Sequence, residues 1–436
     1  MLDKIKTQVK AVASKAAKSG RGKQNEGQYI VALDIGTEFV KVLIGKIVEG
    51  NKIEIIGTGR THQELSDMQA GAISDISAVV NNCDQALNQA EQQAGVSARG
   101  AVIGIAGELV KGTTTHVRCR RKDPTKEMSM DEVERIISLV QTRAKERAKQ
   151  QLVWELGGKD VEIRIVNSAL VSIEIDGYPV TNPVGFKGKD VVVQLYTAFA
   201  PMIHIGALER TAHELDLDLL AVAAEPFAVS RSVIGDDPNA SMSAILMDVG
   251  GGTTDIAVIN DGGVQGTKMF GIGGRAFTRS VERDLSVSFL QAEDLKLGLS
   301  DNKAPQSKVP AIEAALKKTL DVWLSGVDLA LGEFPQLDHL PHRLLLCGGG
   351  SSLDMLMDTL EQSNWYSELP FTRKPVVQHI QPAQVVGIVD KTGSVTDHTY
   401  ITAMGLLRVG LDTLQQQDSN FSTGTLRERI DKILRV

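Results

Sequence analysis

The chain predicts an α/β fold with an internal repeat, and three observations predict it. Short, branched apolar runs bounded by turn residues read as strands. One arrangement, a strand, an acidic residue, a glycine-hydroxyl turn and a second strand, occurs twice: YIVALDIGTEFVKVLIGKI at 29–47 and AILMDVGGGTTDIAVI at 244–259. A third glycine cluster, Gly348–Gly350, ends the strand Leu344–Cys347 and opens an amphipathic helix with Leu353, Leu356, Met357 and Leu360 on one face.

In the second of the paired units, Gly250, Gly251 and Gly252 strip every β-carbon from a loop between two strands. Backbone N–H groups and the hydroxyls of Thr253 and Thr254 then point into a gap suited to a phosphate. Asp248, at the tip of the first strand, faces such an anion only across a hard cation with bound waters. A glycine-rich turn between strands is ordinarily just a turn. The recurrence at Asp34, Gly36 and Thr37, with Lys41 in the following strand, is what favours a grip on a nucleotide. At the third cluster the glycines let base and ribose pass close to backbone, and a helix N-terminus favours negative charge.

Bulk composition fits that reading. The 436 residues allow two or more domains, and 42% apolar with 23% charged residues is ordinary for a globular protein. A net charge of −7 and 4% aromatic residues argue against a nucleic-acid binder. Cys83, Cys119 and Cys347 are odd in number and far apart, which fits a reducing compartment and no disulfide framework. With no apolar run of transmembrane length and no apolar signal core, a cytoplasmic protein is expected.

The three glycine motifs together resemble the actin-like ATPase superfamily, whose patterns are D-x-G-[ST], D-x-G-G-G-T-x-D and G-G-[GSA]. Here they read Asp34-Ile35-Gly36-Thr37, Asp248 to Asp255, and Gly348 to Gly350. Within that superfamily, residues 29–411 look most like the FtsA family of bacterial cell-division proteins. The resembling segments are AGAISDI from Ala70, VTNPVGFKG from Val180, AEDLKLG from Ala292 and ITAMGLLRVG from Ile401. The resemblance implies the actin-like two-lobed ATPase fold, each lobe RNase H-like, with a 1C-type insertion in place of actin subdomain 1B.

It also implies roles. Asp34 and Asp248 would hold Mg²⁺ through waters. Gly36, Thr37 and Lys41 would face one set of ATP phosphate oxygens, and Gly250, Gly251, Gly252, Thr253 and Thr254 the other. Glu293 and Lys296 would reach ribose and adenine, with Gly348, Gly349, Gly350 and Ser351 beneath the adenosine. Glu225, in AAEPFA, would join Asp34 and Asp248 as a catalytic residue by orienting the attacking water; the plainer reading is a charge at a helix N-terminus. The alternative for Glu293 and Lys296 is a surface i,i+3 ion pair, and for Gly273-Gly274 a plain turn rather than a phosphate contact. Turnover of ATP does not follow from such motifs, since binding Mg·ATP does not place a water.

By the same resemblance the chain divides into 29–105 (subdomain 1A), 106–192 (1C), 193–243 (1A again), 244–266 (2A), 267–333 (2B), 334–400 (2A again) and 401–412, a closing helix of 1A. After Gly298 the chain departs from the family pattern: a short polar stretch, LSDNKAPQSKVP, precedes a helical run to Phe334. Flanking pieces complete the chain: 1–28, a basic amphipathic segment and link; 413–424, a polar linker; and 425–436, an amphipathic helix with Leu426, Ile430, Ile433 and Leu434 on one face. Either terminal helix could bind an anionic membrane surface, with filament formation multiplying weak anchors; each could instead pack on the body.

The function implied is a filament-forming, ATP-binding protein on the cytoplasmic face of the bacterial inner membrane, at the division septum. It would tether FtsZ there through the FtsZ C-terminal peptide docked on 2B. The alternative is a PilM-like adaptor of a type IV pilus or secretion machine, which would bind a protein tail rather than lipid. A sugar-kinase reading lacks an acidic base in a sugar pocket, and a chaperone reading lacks a peptide-binding domain after residue 411.

Overall fold

A computed structural model of the chain describes residues 29–108, 110–234, 242–334 and 336–418. Both terminal amphipathic helices expected from the sequence lie outside them.

β1 (Tyr29–Ile35), β2 (Phe39–Val48) and β3 (Lys52–His62) form an antiparallel run. α1 (Ile76–Ala94) follows; the Asp75 carboxylate accepts from the N–H groups of Ser77 and Ala78 at its start, and Gly95 at φ 68° ends it. It leads to β4 (Gly100–Ile105), parallel to β1. The insertion comes next: β5 (Lys111–Arg120), α2 (Met130–Glu155), β6 (Ile163–Ile175) and β7 (Asp190–Pro201). β7 lies between β5 and β6, antiparallel to both, and Val133, Ile137 and Val140 of α2 pack into one cluster with Val191, Val193 and Leu195. α3 (Met202–Glu214), β8 (Asp218–Ala224) and α4 (Glu225–Ile234) close the first half, with β8 parallel to β4.

The second half repeats the plan. β9 (Ala244–Val249), β10 (Thr254–Asn260) and β11 (Gly263–Phe270) run antiparallel. The helices α5 (Gly274–Leu285), α6 (Phe289–Ser300) and α7 (Val309–Gly332) stand where the second-lobe insert was expected, with no strand among them. β12 (Arg343–Cys347) then pairs parallel with β9; α8 (Asp354–Gln362) and β13 (Val376–His379) follow, β13 parallel to β12. β14 (Ile388–Asp390) joins β3, and α9 (Ile401–Asp418) packs on α4 and β1, so the chain ends its described course back on the first lobe.

The strand orders β3-β2-β1-β4-β8 and β11-β10-β9-β12-β13 are the same in sequence and direction, which makes the two lobes copies of one unit. Period-two alternation gives the second sheet two jobs. Ala244, Leu246, Ala257, Ile259, Leu345 and Cys347 turn into the large core shared with the first lobe. Their neighbours Ile245, Met247, Val249, Ile256, Val258, Leu344 and Leu346 bury instead with Phe277, Leu316 and Trp323 of the helical insert.

Some expectations need correction. β5 pairs with β11 through Gly112–Thr267 and Thr113–Gly266, so the insertion sheet continues the second-lobe sheet rather than standing apart. The divisions expected at 192 and 266 fall inside β7 and β11. The closing helix runs to Asp418, six residues beyond 412, so no linker begins at 413. Leu411 is buried and Leu414 partly buried against the same core, so the apolar stripe of the helix continues past 412. Among the described residues no helix is long and apolar enough to cross a membrane.

Candidate functional site

The repeat brings two short loops face to face. Residues 36–38 join β1 to β2 and 250–253 join β9 to β10; the N–H of Gly36 donates to the carbonyl of Phe39 (3.1 Å), and that of Gly250 to the carbonyl of Thr253 (2.9 Å). The loops touch. A β-carbon built on Gly252 would lie 2.6 Å from the Thr37 hydroxyl, and one on Gly251 2.9 Å from the β-carbon of Glu38. Glycine is favoured there by the close approach of the Thr37 side chain at Gly252 and of Glu38 at Gly251.

Strand register places the charged residues directly beneath. Asp34 is opposite Lys41 in the first hairpin, and Asp248 is opposite Asp255 in the second. The Lys41 ammonium donates to Asp34 at 3.1 Å. Thr253 Oγ1 donates to Asp255 Oδ2 at 3.1 Å, and the Thr402 hydroxyl of α9 donates to Asp248. Glu225 opens α4 within the same buried group.

These environments perturb the acids strongly. Burial, then the charges of Asp34, Asp255 and Asp248, pushes Glu225 well above the carboxylate range. Burial and the neighbouring Asp248 do the same to Asp255. Burial raises Asp248 too, against the opposing effects of the Thr402 hydrogen bond and Lys41. At Lys41 burial works against the charge, but Asp34 and Asp248 outweigh it and its pKa rises. Four carboxylates thus share one lysine, and Asp255 Oδ1 is buried without a hydrogen-bond partner among the described residues. A divalent cation fits such an excess of negative charge and such an orphaned oxygen. Among the described residues no three acidic, histidine or cysteine side chains converge as direct metal ligands.

The third glycine loop closes on the second. Gly348 has φ 79°, and a β-carbon there would lie 2.0 Å from Asp248 Oδ1, so only glycine fits both the backbone and the space. Gly349–Ser352 form a 3₁₀ turn, and the α-helix begins only at Asp354, later than the sequence suggested. A groove of about 530 Å³ opens beside this loop, between Leu299–Val309 and the face of α8 bearing Asp354 and Asp358; none of its lining comes from the hairpin loops.

Not every expected residue faces the gap. Thr254 is fully buried; its hydroxyl donates to the Ile272 carbonyl (2.7 Å) and accepts the Trp323 indole N–H (2.8 Å). Alternation along β10 turns Thr254 away from the side Thr253 presents. Ser351 is equally buried, its hydroxyl donating to the Gly348 carbonyl at 2.7 Å. Both are structural here. Gly273 and Gly274 do approach the second loop: the N–H of Gly274 donates to Gly250 O and that of Arg275 to Gly251 O, each at 2.8 Å. Glu293 and Lys296 form their i,i+3 pair at 2.8 Å, but not on the surface: Lys296 is 9% exposed and also donates to Thr278 and the Gly274 carbonyl, tying α6 to the start of α5. Thr402 was missed; its only signal was its place in the ITAMGLL segment.

A family model described as cell division protein FtsA matches residues 245–405. The cell division protein FtsA of Pseudomonas aeruginosa is 24% identical over 416 residues, covering 91% of this chain and 92% of that protein. That of Bacillus subtilis is 26% identical over 275 residues, 62% of this chain and 58% of that protein. Among solved structures, one of the PilM–PilN type IV pilus biogenesis complex superposes with a TM-score of 0.62 at 15% identity, covering 88% of this chain and 98% of that one.

Proposed function

The chain is related to the FtsA family and has the actin-like two-lobed fold, and from that premise we propose that it is an ATP-binding, self-associating protein that tethers FtsZ to the membrane at the division site. The observation that carries the nucleotide reading is the meeting of two glycine-hydroxyl loops above Asp34, Lys41, Asp248, Asp255 and Glu225. Gly36, Thr37 and Lys41 would face one set of phosphate oxygens; Gly250, Gly251, Gly252 and Thr253 would face the other. Gly348–Gly350 would underlie the adenosine, with the base toward the groove beside α8. Glu225 would orient a water at the terminal phosphate, its burial favouring proton acceptance. Mg²⁺ would neutralise phosphate charge between Asp34 and Asp248. The subdomain scheme is proposed with the strand-crossing divisions moved to the ends of β7 and β11.

The tether rests on the relationship to FtsA and on the cationic amphipathic segments at 1–28 and 425–436. The test is sedimentation with anionic liposomes, with and without Mg·ATP, for the full chain and for a chain ending at Asp418. Pelleting of the full chain but not the shortened one supports a C-terminal anchor. Loss only on removing residues 1–23 moves the anchor to the N-terminus.

A second reading, an adaptor that binds a protein tail, is favoured by the fold shared with PilM and by a second-lobe insert made only of helices. It becomes the better one if neither chain binds lipid.

A further inference from the structure

Glu38 of the first loop is joined to Arg275 of α5 by a charge pair that gripping phosphate does not require. Arg275, in the first turn of α5, donates from Nε to Glu38 Oε2 at 2.6 Å and from Nη2 to the Gln63 carbonyl at 3.1 Å. The other carboxylate oxygen of Glu38 lies 2.9 Å from His62 Nε2. The backbone of Arg275 is itself fixed to the second loop, its N–H donating to Gly251 O. A guanidinium on α5, whose backbone is tied to the second loop, therefore reaches a carboxylate of the first loop, 237 residues away in sequence. Neither is free in water: the Arg275 side chain is 13% exposed and that of Glu38 22%.

Guanidinium binds carboxylate and phosphate with the same planar fork of donors. Glu38 thus offers Arg275 the kind of contact that a phosphate oxygen would offer. A nucleotide with its adenosine at Gly348–Gly350 and its phosphates between the loops would carry its terminal phosphate on the side of the second loop, to which the Arg275 backbone is fixed; a diphosphate would lack that group. We propose that Arg275 is a positioning residue that distinguishes ATP from ADP, with Glu38 as the competing anion that releases it when the terminal phosphate arrives. This rests on the nucleotide reading above.

The opposing partners make the test one of sign. Binding of Mg·ATP and Mg·ADP is measured by calorimetry for the full chain and for R275A, R275K and E38Q, each checked for folding by its melting curve. R275A should weaken ATP by about tenfold or more, the size of a lost charged hydrogen bond, and ADP by less than about twofold. R275K should recover part of the ATP affinity. E38Q should tighten ATP several-fold, by about one charged contact relieved. A shared shift for both nucleotides in R275A, or weaker ATP binding in E38Q, overturns the proposal and leaves the pair a structural link. Should R275A fail to fold, E38Q decides alone, since it is isosteric. If the unaltered chain binds neither nucleotide, the nucleotide reading itself fails and this inference with it.

Discussion

Gly252 rests on Thr37: a β-carbon on the glycine would stand 2.6 Å from the threonine hydroxyl, across the line where the two lobes meet. The φ of Gly252 is not left-handed, so an alanine there is excluded by the neighbour alone and not by its own backbone. Gly252→Ala should therefore spare each lobe and hold the loops apart. Overpacking of this size costs about 1–3 kcal/mol, so Mg·ATP affinity should fall about tenfold or more while the melting temperature changes little. Unchanged affinity would mean that nucleotide does not need these loops in contact.

Thr254 separates structure from ligand binding in the same motif. Its hydroxyl holds the Ile272 carbonyl and the Trp323 indole together, so Thr254→Val strands buried polar groups and should destabilise the fold by about 1–3 kcal/mol. ATP affinity should stay within about twofold. A large loss of affinity without loss of stability would return Thr254 to the phosphate side.

Thr402→Val tests the support of Asp248. The substitution keeps the shape and removes the one hydroxyl that donates to a buried carboxylate 154 residues away. The folded chain should lose about 1–3 kcal/mol in chemical denaturation. No change would show that water replaces the hydroxyl there.

His398 sets an acid limit on stability. Its ring stacks on His379 with centroids 3.9 Å apart, and its Nε2 is 3.0 Å from Ser352 Oγ. Burial, then the neighbouring His379, pushes its pKa from the ordinary 6.5 down to about 4. The unfolded chain takes up its proton first, so this stabilisation is complete above pH 6.5 and is lost as pH falls toward 4. The ring is partly exposed, so solvent screening limits the effect to about 1 kcal/mol. Denaturation midpoints at pH 7.5 and 5 should differ less in His398→Gln than in the unaltered chain. An equal difference would place the acid sensitivity elsewhere.

The repeated hairpins were legible because a strand-tip aspartate, a glycine turn and a second branched strand are all local signals, and both units fold as read. What the motifs did not carry is where each hydroxyl turns: Thr254 is turned inward by Trp323, 69 residues on, and the Ser351 hydroxyl donates to the Gly348 carbonyl within a turn that precedes the helix. The Glu38–Arg275 pair joins segments 237 residues apart, and no spacing in the sequence announces it. Likewise β5 meets β11 only once both lobes are assembled, so the merging of the insertion with the second sheet could not be read from either strand. The length of α9 was misjudged because the sequence after Leu414 is polar, while Leu411 and Leu414 keep the buried stripe going past 412.

Titration calorimetry with Mg·ATP, on the full chain and on Asp248→Asn, bears most directly on the two-loop site. Asparagine keeps an acceptor for Thr402 and removes only the charge that would face the ion. The full chain should bind, and the folded variant should bind at least about tenfold more weakly, or not at all. Equal affinity in a variant with an unaltered melting curve would contradict the assignment of Asp248 to the magnesium of a bound nucleotide, and with it the site between the loops.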